Sequence, residues 1–135
     1  MARQLITVYT SHNEEQLDLL LNNYFYKNNY SLATVNDEVV IRKNSLFGFI
    51  SSHYIRIYYR ENSLLIEGWF TASGKDYGLD DGIMYSEKHR ALSQSIETIV
   101  SLLNSAGMTV ENGTREYGEA IDYVAEYEFK KPEKK

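Results

Sequence analysis

Two runs rich in aliphatic and aromatic residues lie between His53 and Phe70 and flank polar Glu61-Asn62, a pattern that predicts a β-hairpin with a two-residue turn at that pair. In this register one face of the ribbon carries aliphatic side chains, which we expect to point into the core. They are Ile55, Ile57, Leu64 and Ile66. Because Glu-Asn is not a favoured turn pair, a slightly longer loop that includes Ser63 is the alternative, and it would shift the pairing.

The other face of the predicted hairpin carries Tyr54, Arg56, Tyr58, Leu65, Glu67 and Trp69. The register sets Arg56 opposite Glu67 and places two aromatic side chains, Tyr54 and Trp69, opposite each other. A slip of one residue would turn over one strand's whole set of side chains and lose both matches. The chain is predicted to be organised around this hairpin.

Two other segments have the spacing of amphipathic helices. The first follows a capping-box pattern at Ser11 and Glu14 and ends near 28–29. The second begins at Ser86 and ends within 104–107, where Gly107 can supply a left-handed stop. The predicted apolar stripes are Leu17, Leu20, Leu21, Tyr24 and Phe25 in the first helix, and Leu92, Ile96, Ile99, Val100 and Leu103 in the second.

Short runs of β-branched and aromatic residues predict three more strands, at Leu5–Tyr9, Ser31–Val35 and Val39–Arg42. The last two are joined by Asn36-Asp37, a common turn pair. The segment Thr71–Tyr85 is rich in glycine, serine and aspartate, a composition typical of a loop.

The C-terminal part of the sequence is ambiguous. Met108–Glu111 is consistent with a strand, and Asn112-Gly113 is the strongest two-residue turn signal in the chain. From 116 to 129 the apolar residues fit both a strand and a helix with an acidic surface, and the strand accounts for more of them. Residues 131–135 are charged, contain the proline, and are expected to be frayed.

These elements predict a single α+β domain over residues 1–130, a two-layer sandwich in which two helices pack on one face of a mainly antiparallel sheet. The length of 135 residues suits one domain, and 43% hydrophobic with 24% charged residues is ordinary for a globular chain. The twelve tyrosines suit both half-buried strand positions and an interface, and the strand explanation is preferred because tyrosine is a normal strand former.

The net charge of −5 argues against nucleic acid as a partner, because phosphate binding needs a surplus of lysine and arginine. The absence of cysteine excludes disulfides and thiolate metal sites and fits a cytoplasmic location. No apolar run is long enough to cross a bilayer, so we expect no membrane insertion by this chain.

The hairpin strands Tyr54–Tyr59 and Leu64–Trp69, the loop after them, and a helix ending in Ile-Glu-Thr-Ile-Val-Ser-Leu-Leu together resemble a small domain found in Firmicutes proteins. That domain often lies beside a zinc ribbon or a membrane-spanning segment. The resemblance covers about Gln4–Leu103 and rests mostly on hydrophobic pattern. It implies no catalytic residue.

No catalytic constellation is visible in the sequence. The loop from Asp76 to Gly82 fails the EF-hand pattern because lysine stands where the bidentate glutamate belongs, and a solvated acidic turn explains it better than an irregular cation site. The three histidines, His12, His53 and His89, have no metal-ligand spacing, so no cofactor is expected. No glycine-flanked nucleophilic serine and no phosphate-binding loop is present.

Two classes of function follow. The first is a non-enzymatic protein-binding or regulatory module that meets a protein partner or a second copy of itself through the aromatic sheet face or a sheet edge. Its predicted binding residues are Tyr54, Arg56, Tyr58, Glu67 and Trp69, residue types enriched at interfaces. The second is a small-ligand domain, or an enzyme of another type, with a pocket near 73–82 and His53 or His89.

Overall fold

A computed structural model describes residues 4–11, 14–44, 53–72, 75–77, 86–109, 115–117 and 125–130. The helices are α1 (Glu14–Lys27) and α2 (Ser86–Ser105). The strands are β1 (Gln4–Tyr9), β2 (Tyr30–Val35), β3 (Glu38–Lys43), β4 (His53–Arg60), β5 (Ser63–Ala72), β6 (Lys75–Tyr77), β7 (Arg115–Tyr117) and β8 (Ala125–Glu126).

These strands form one sheet with the order β2-β3-β4-β5-β1-β7, while β6 pairs with β5 and β8 pairs with β4. Every pairing among the described residues is antiparallel. Both helices contribute to a single hydrophobic core together with the inward side chains of β1, β4 and β5. The predicted α+β architecture is therefore confirmed.

The central hairpin, β4 and β5, has the register predicted from the sequence. Arg56 lies opposite Glu67, and Tyr54 lies opposite Trp69. Arg60 and Ser63 form the last pair, so the turn contains two residues and the alternative with Ser63 in the loop is wrong. Asn62 adopts a left-handed conformation with φ of 62°, which asparagine tolerates better than most residues. This explains how a Glu-Asn pair closes the hairpin.

The aliphatic face of the central hairpin is buried beneath the helices, as predicted. Ile55, Ile57, Leu64 and Ile66 have no solvent exposure. Gly68 lies on the same face, and a β-carbon there would be 3.0 Å from Leu92 Cδ1 and 3.1 Å from Ile96 Cδ1 of α2. The missing side chain at this position thus allows α2 to pack closely on β5.

The helix ends agree with the sequence signals. Asn29 follows α1 with φ of 63°, and Gly107 follows α2 with φ of 71°, the left-handed conformations that stop helices. The two residues between Ser11 and Glu14 of the predicted capping box, 12 and 13, lie outside the described residues. Neither helix in the described part of the chain is long and apolar enough to cross a membrane.

The predicted loop from 71 to 85 is wrong in its first part. β5 continues to Ala72, and β6 pairs with it so that Tyr77 lies opposite Phe70. The two rings stack with their centroids 5.7 Å apart. Backbone pairing and this ring contact outweigh the loop-like composition of the segment. Residues 78–85 of the predicted loop lie outside the described residues.

Both described ends of the C-terminal segment are strands, but they are two separate strands with different neighbours rather than one continuous strand. β7 pairs with β1, and β8 pairs with β4, so a helix through 116–129 is wrong there. Tyr127 and Phe129 are buried while Glu128 is exposed, which is the alternation expected of an extended chain. Thr109 forms an isolated bridge with Thr10. Residues 110–114 with the predicted turn, 118–124 and 131–135 lie outside the described residues.

Candidate functional site

The residues predicted to bind a partner lie on one face of the central hairpin but make separate contacts. The Tyr54 ring stacks on Trp69 with centroids 5.6 Å apart and planes 25° apart. The Tyr58 hydroxyl donates a hydrogen bond of 2.9 Å to Glu67. Burial and this carboxylate raise the pKa of Tyr58. The tyrosine is therefore held in its neutral, hydrogen-bonding form.

This face is partly buried within the chain. Trp69 is 2% exposed and Tyr58 is 7% exposed, whereas Tyr54, Arg56 and Glu67 are half-buried. Rings that have lost nearly all contact with water contribute to folding rather than to docking. The side chains of Trp69 and Tyr58 are therefore covered within this chain. A binding role for the set as a whole stays a prediction.

Arg56 is the centre of a charged network that joins three strands. Its Nε and Nη2 donate to the two carboxylate oxygens of Glu126, at 3.0 and 2.8 Å, and its Nη1 also pairs with Glu38. The guanidinium lies 5.4 Å from the centroid of the Tyr58 ring. The hydrogen bonds to Glu126 are the main cause of a raised pKa of Arg56. Fork-like pairing of this kind fixes the position of both partners.

Glu38 and Glu126 were not predicted from the sequence. The pattern set Arg56 opposite Glu67, and that backbone pairing is present, but the guanidinium turns to other carboxylates. Glu126 is 70 residues away along the chain, and no local signal connects it with Arg56.

β3 and β8 share one edge of β4. β3 pairs with β4 only through Ile41–Ile55 and Arg42–Tyr54. Further along β4, Tyr58 and Tyr59 pair with β8. In the described structure, the first half of β3 therefore does not pair with β4, because the C-terminal segment occupies that part of the edge.

A cleft of about 610 Å³ lies where the two strands diverge. We call it the hairpin cleft. Its apolar lining includes side chains from β2 and β3, and its charged lining comes from several elements. The lining residues are Leu32, Asp37, Glu38, Val39, Ile41, Arg56, Glu126, Tyr127, Glu128, Phe129 and Lys130. This volume is within the range of ligand pockets, roughly 300–1,000 Å³.

The outer hairpin, β2 and β3, exposes apolar side chains that the sequence pattern assigned to ordinary strands. Leu32 is 50% exposed and Val39 is 55% exposed. Thr34 lies opposite Val39 and is also exposed, so these three side chains share one face. Together they form a largely apolar surface on β2 and β3, at the β2 end of the strand order.

The turn that closes the outer hairpin fixes which backbone groups of β2 point away from β3. Asn36 and Asp37 have φ of 49° and 66°, the conformation of a type I′ two-residue turn. Val35 and Glu38 flank this turn and exchange hydrogen bonds. By alternation, Leu32 and Thr34 direct their N–H and C=O groups away from β3. Within the described residues β2 pairs with β3 alone.

A buried polar network fixes the other end of β2. The Tyr30 hydroxyl lies 2.7 Å from His53 Nε2 and 2.7 Å from Ser95 Oγ, and so joins β2, β4 and α2. Desolvation, and to a smaller extent the charge of Lys43, lower the pKa of His53 to about 4. The histidine is therefore neutral at pH 7. Because the serine reaches the imidazole through a tyrosine hydroxyl, the network holds elements together rather than activating a nucleophile.

A second apolar groove, of about 440 Å³, lies between α1 and the C-terminal end of α2. Leu19, which is 66% exposed, and Leu102 lie at its surface. It contains none of the residues predicted to bind a partner.

Among the residues that the structure describes, no three histidine, aspartate or glutamate side chains are grouped so that they could hold a metal ion. Most of the acidic loop considered for calcium, from 78 to 82, lies outside those residues, as does His12. His89 lies on α2.

No family model matches the chain, and neither a curated protein nor a solved structure matches it. The resemblance to the Firmicutes domain stays an expectation from the sequence.

Proposed function

We propose that this chain is a non-enzymatic protein-binding module that receives an extended segment of its partner along the free edge of β2. The observation that carries the proposal is the combination of outward N–H and C=O groups at Leu32 and Thr34 with two exposed apolar side chains beside them, Leu32 on β2 and Val39 on β3. In strand addition, backbone hydrogen bonds supply affinity and alternate side chains supply specificity. Leu32 and Val39 provide the specific contacts.

The sequence of β2 supports this role. Tyr-Ser-Leu-Ala-Thr-Val contains no charged residue, no proline and no glycine. Edge strands that must avoid pairing are blunted by charge, by proline or by shortness. β7, at the opposite end of the strand order, has three residues, two of them charged. Among the described strands, β2 is therefore better suited to pairing with an added strand than β7 is.

The charged network around Arg56 stabilises the outer hairpin, which carries the β2 edge. By joining Glu38 of β3 to Glu126 of the C-terminal segment, it fixes the outer hairpin where that hairpin departs from β4. A preformed edge binds more tightly than a mobile one, because less conformational entropy is lost on binding. Arg56 therefore acts as a positioning residue for the outer hairpin, which revises its predicted role as a contact residue.

The proposal is tested by selecting random decapeptides displayed on phage against the immobilised full chain. Thr34→Pro removes an outward N–H without removing a bond to β3, so the hairpin is retained while strand addition is blocked. We expect the selected peptides to be extended and rich in apolar residues, and to bind the variant at least about tenfold more weakly, a difference of about 1.4 kcal/mol.

Leu19→Ser is the control, because Leu19 is an exposed leucine on α1 and is not part of β2. It should leave peptide affinity unchanged. Peptides that bind the Thr34→Pro variant as well as the parent, or that lose affinity with Leu19→Ser, would contradict the proposal.

A second candidate function is the binding of a small ligand in the hairpin cleft, which its volume of about 610 Å³ favours. Val39→Trp would fill the cleft. A compound that raises the melting temperature of the parent and not of this variant would support this function, and a compound that stabilises both equally would count against it.

A further inference from the structure

We propose that the segment on the β2 edge is β2 of a second copy of this chain, paired antiparallel about a two-fold axis at Leu32. This inference rests on the proposed function and names its partner. The result would be a continuous sheet that extends through two chains.

The hydrogen-bond alternation of β2 limits the registers that a two-fold axis permits. In an antiparallel pair, opposite residues have the same hydrogen-bonding role. Leu32 and Thr34 direct their backbone groups outward, whereas Ala33 bonds to β3. A register that sets Leu32 opposite Ala33 is therefore excluded. The longest symmetric ladders are centred on Leu32 or on Ala33.

The side chains distinguish these two registers. Centring on Leu32 brings the two exposed leucines opposite each other, with the exposed Val39 of each chain one strand further in. Centring on Ala33 sets each leucine opposite Thr34 and separates the apolar side chains. Because apolar pairs across strands are favourable, the register centred on Leu32 is preferred.

The distribution of charge is compatible with a second copy as the occupant. Two chains that each carry a net charge of −5 repel each other over most of their surfaces. β2 has no charged side chain, so the two copies meet where this repulsion is weakest. The antiparallel arrangement also brings the turn with Asp37 towards the end of α1 in the partner, which carries the exposed Lys27. These opposite charges favour the two-fold arrangement.

The size of the contact sets the expected affinity. Stable complexes bury roughly 800 Å² per partner, and the edge of the six-residue strand β2, with exposed Leu32 on it and exposed Val39 on β3, is smaller. We therefore expect a reversible dimer with a dissociation constant on the order of 10 μM.

Sedimentation velocity of the full chain from about 2 to 200 μM tests the inference, since this range spans the expected dissociation constant. The parent should shift from monomer to dimer, and Leu32→Ser and Thr34→Pro should each weaken the dimer by about tenfold or more. Leu19→Ser should change the dissociation constant by less than about twofold, as expected of a surface change away from the contact. Thr34→Lys repeats the test if the proline variant fails to fold.

Engineered cysteines test the register, because the chain has none of its own. In the proposed register the Cα atoms of residue 32 in the two copies are about 5.5 Å apart, within reach of a disulfide. Those of residue 33 are about 8 Å apart, which is too far. Under mild oxidation Leu32→Cys should give a covalent dimer and Ala33→Cys should not. The reverse result would overturn the proposed axis.

The outcomes separate this inference from the proposed function. A parent that stays monomeric at the highest concentration, while selected peptides still require Thr34, would overturn the self-pairing and leave strand addition in place. A dimer that Leu19→Ser abolishes and Leu32→Ser leaves intact would place the contact in the groove between the helices, and would also overturn the inference.

Discussion

The central and outer hairpins have similar secondary structure and opposite environments. Both are antiparallel ribbons closed by two-residue turns that contain left-handed residues. The central hairpin is paired on both edges, and its aliphatic face lies under the helices, whereas the outer hairpin pairs with β4 over two residues and exposes Leu32 and Val39. Position in the sheet, rather than local sequence, therefore determines whether a hairpin is packed into the core or stays accessible for binding.

The largest expected difference between the hairpins is the cost of losing a large side chain. Trp69→Ala should lower the free energy of unfolding by about 3–5 kcal/mol, because a buried ring leaves a cavity. Leu32→Ala, in the outer hairpin, should cost less than about 1 kcal/mol, since half of that side chain is already in water. Urea denaturation of both variants measures the contrast. Similar losses in the two would show that Trp69 is not part of the core.

The free energy of unfolding should depend on pH through His53, which lies on β4 of the central hairpin. The folded pKa of His53 is about 4, below its ordinary value of 6.5, so above pH 6.5 both the folded and the unfolded states carry a neutral imidazole. As pH falls from 6.5 towards 4, the unfolded state gains a proton that the folded state does not, and stability falls by roughly 3 kcal/mol.

His53→Gln should remove this part of the pH dependence. The measurement is the free energy of unfolding of the parent and the variant at pH 7.5 and 4.5, where other titrating groups cancel in the comparison. The parent should lose more stability between the two values than the variant does. Equal losses would show that His53 is protonated within the fold.

A smaller effect is expected at the contact between β5 and α2. Gly68→Val should destabilise the chain by about 1–3 kcal/mol, because side-chain atoms would be forced against Leu92 and Ile96. Ala33→Val is the comparison in the outer hairpin, where a half-buried strand position should accept the larger side chain with a change of less than about 0.5 kcal/mol. Thermal unfolding of both variants gives the order. A tolerated valine at position 68 would show that α2 does not lie tightly on β5.

The smallest expected effect concerns the turn of the outer hairpin. Asp37 has φ of 66°, a conformation that costs less for glycine than for other residues. Asp37→Gly should therefore raise the free energy of unfolding by about 0.5 kcal/mol, although glycine also increases the entropy of the unfolded chain. Arg60→Gly, in a paired strand position of the central hairpin, should lower it. Equilibrium denaturation compares the two, and a destabilised Asp37→Gly variant would indicate that the aspartate side chain stabilises the turn.

Much of the fold could be predicted, and the candidate site could be predicted only in part. The predicted partner surface included Arg56, which does lie at the hairpin cleft, but it missed Glu38, Glu126 and the free edge at Leu32. Nothing in the run Ser31–Val35 marks it as an edge strand, and its lack of charge is more typical of an inner one. The predicted loop after Thr71 missed β6, because pairing with β5 depends on where β5 continues.

The sequence by itself determined the local features: the two helical stripes, the turns, and the register of the central hairpin. These depend on residues close together along the chain, whose spacing fixes which side chains share a face. Only the tertiary structure decided that Trp69 is buried, that Arg56 pairs with a carboxylate 70 residues away, and that β8 takes the part of β4 that β3 leaves. Those outcomes depend on which distant segments meet, and the free energy of such contacts is not encoded in the periodicity of any one segment.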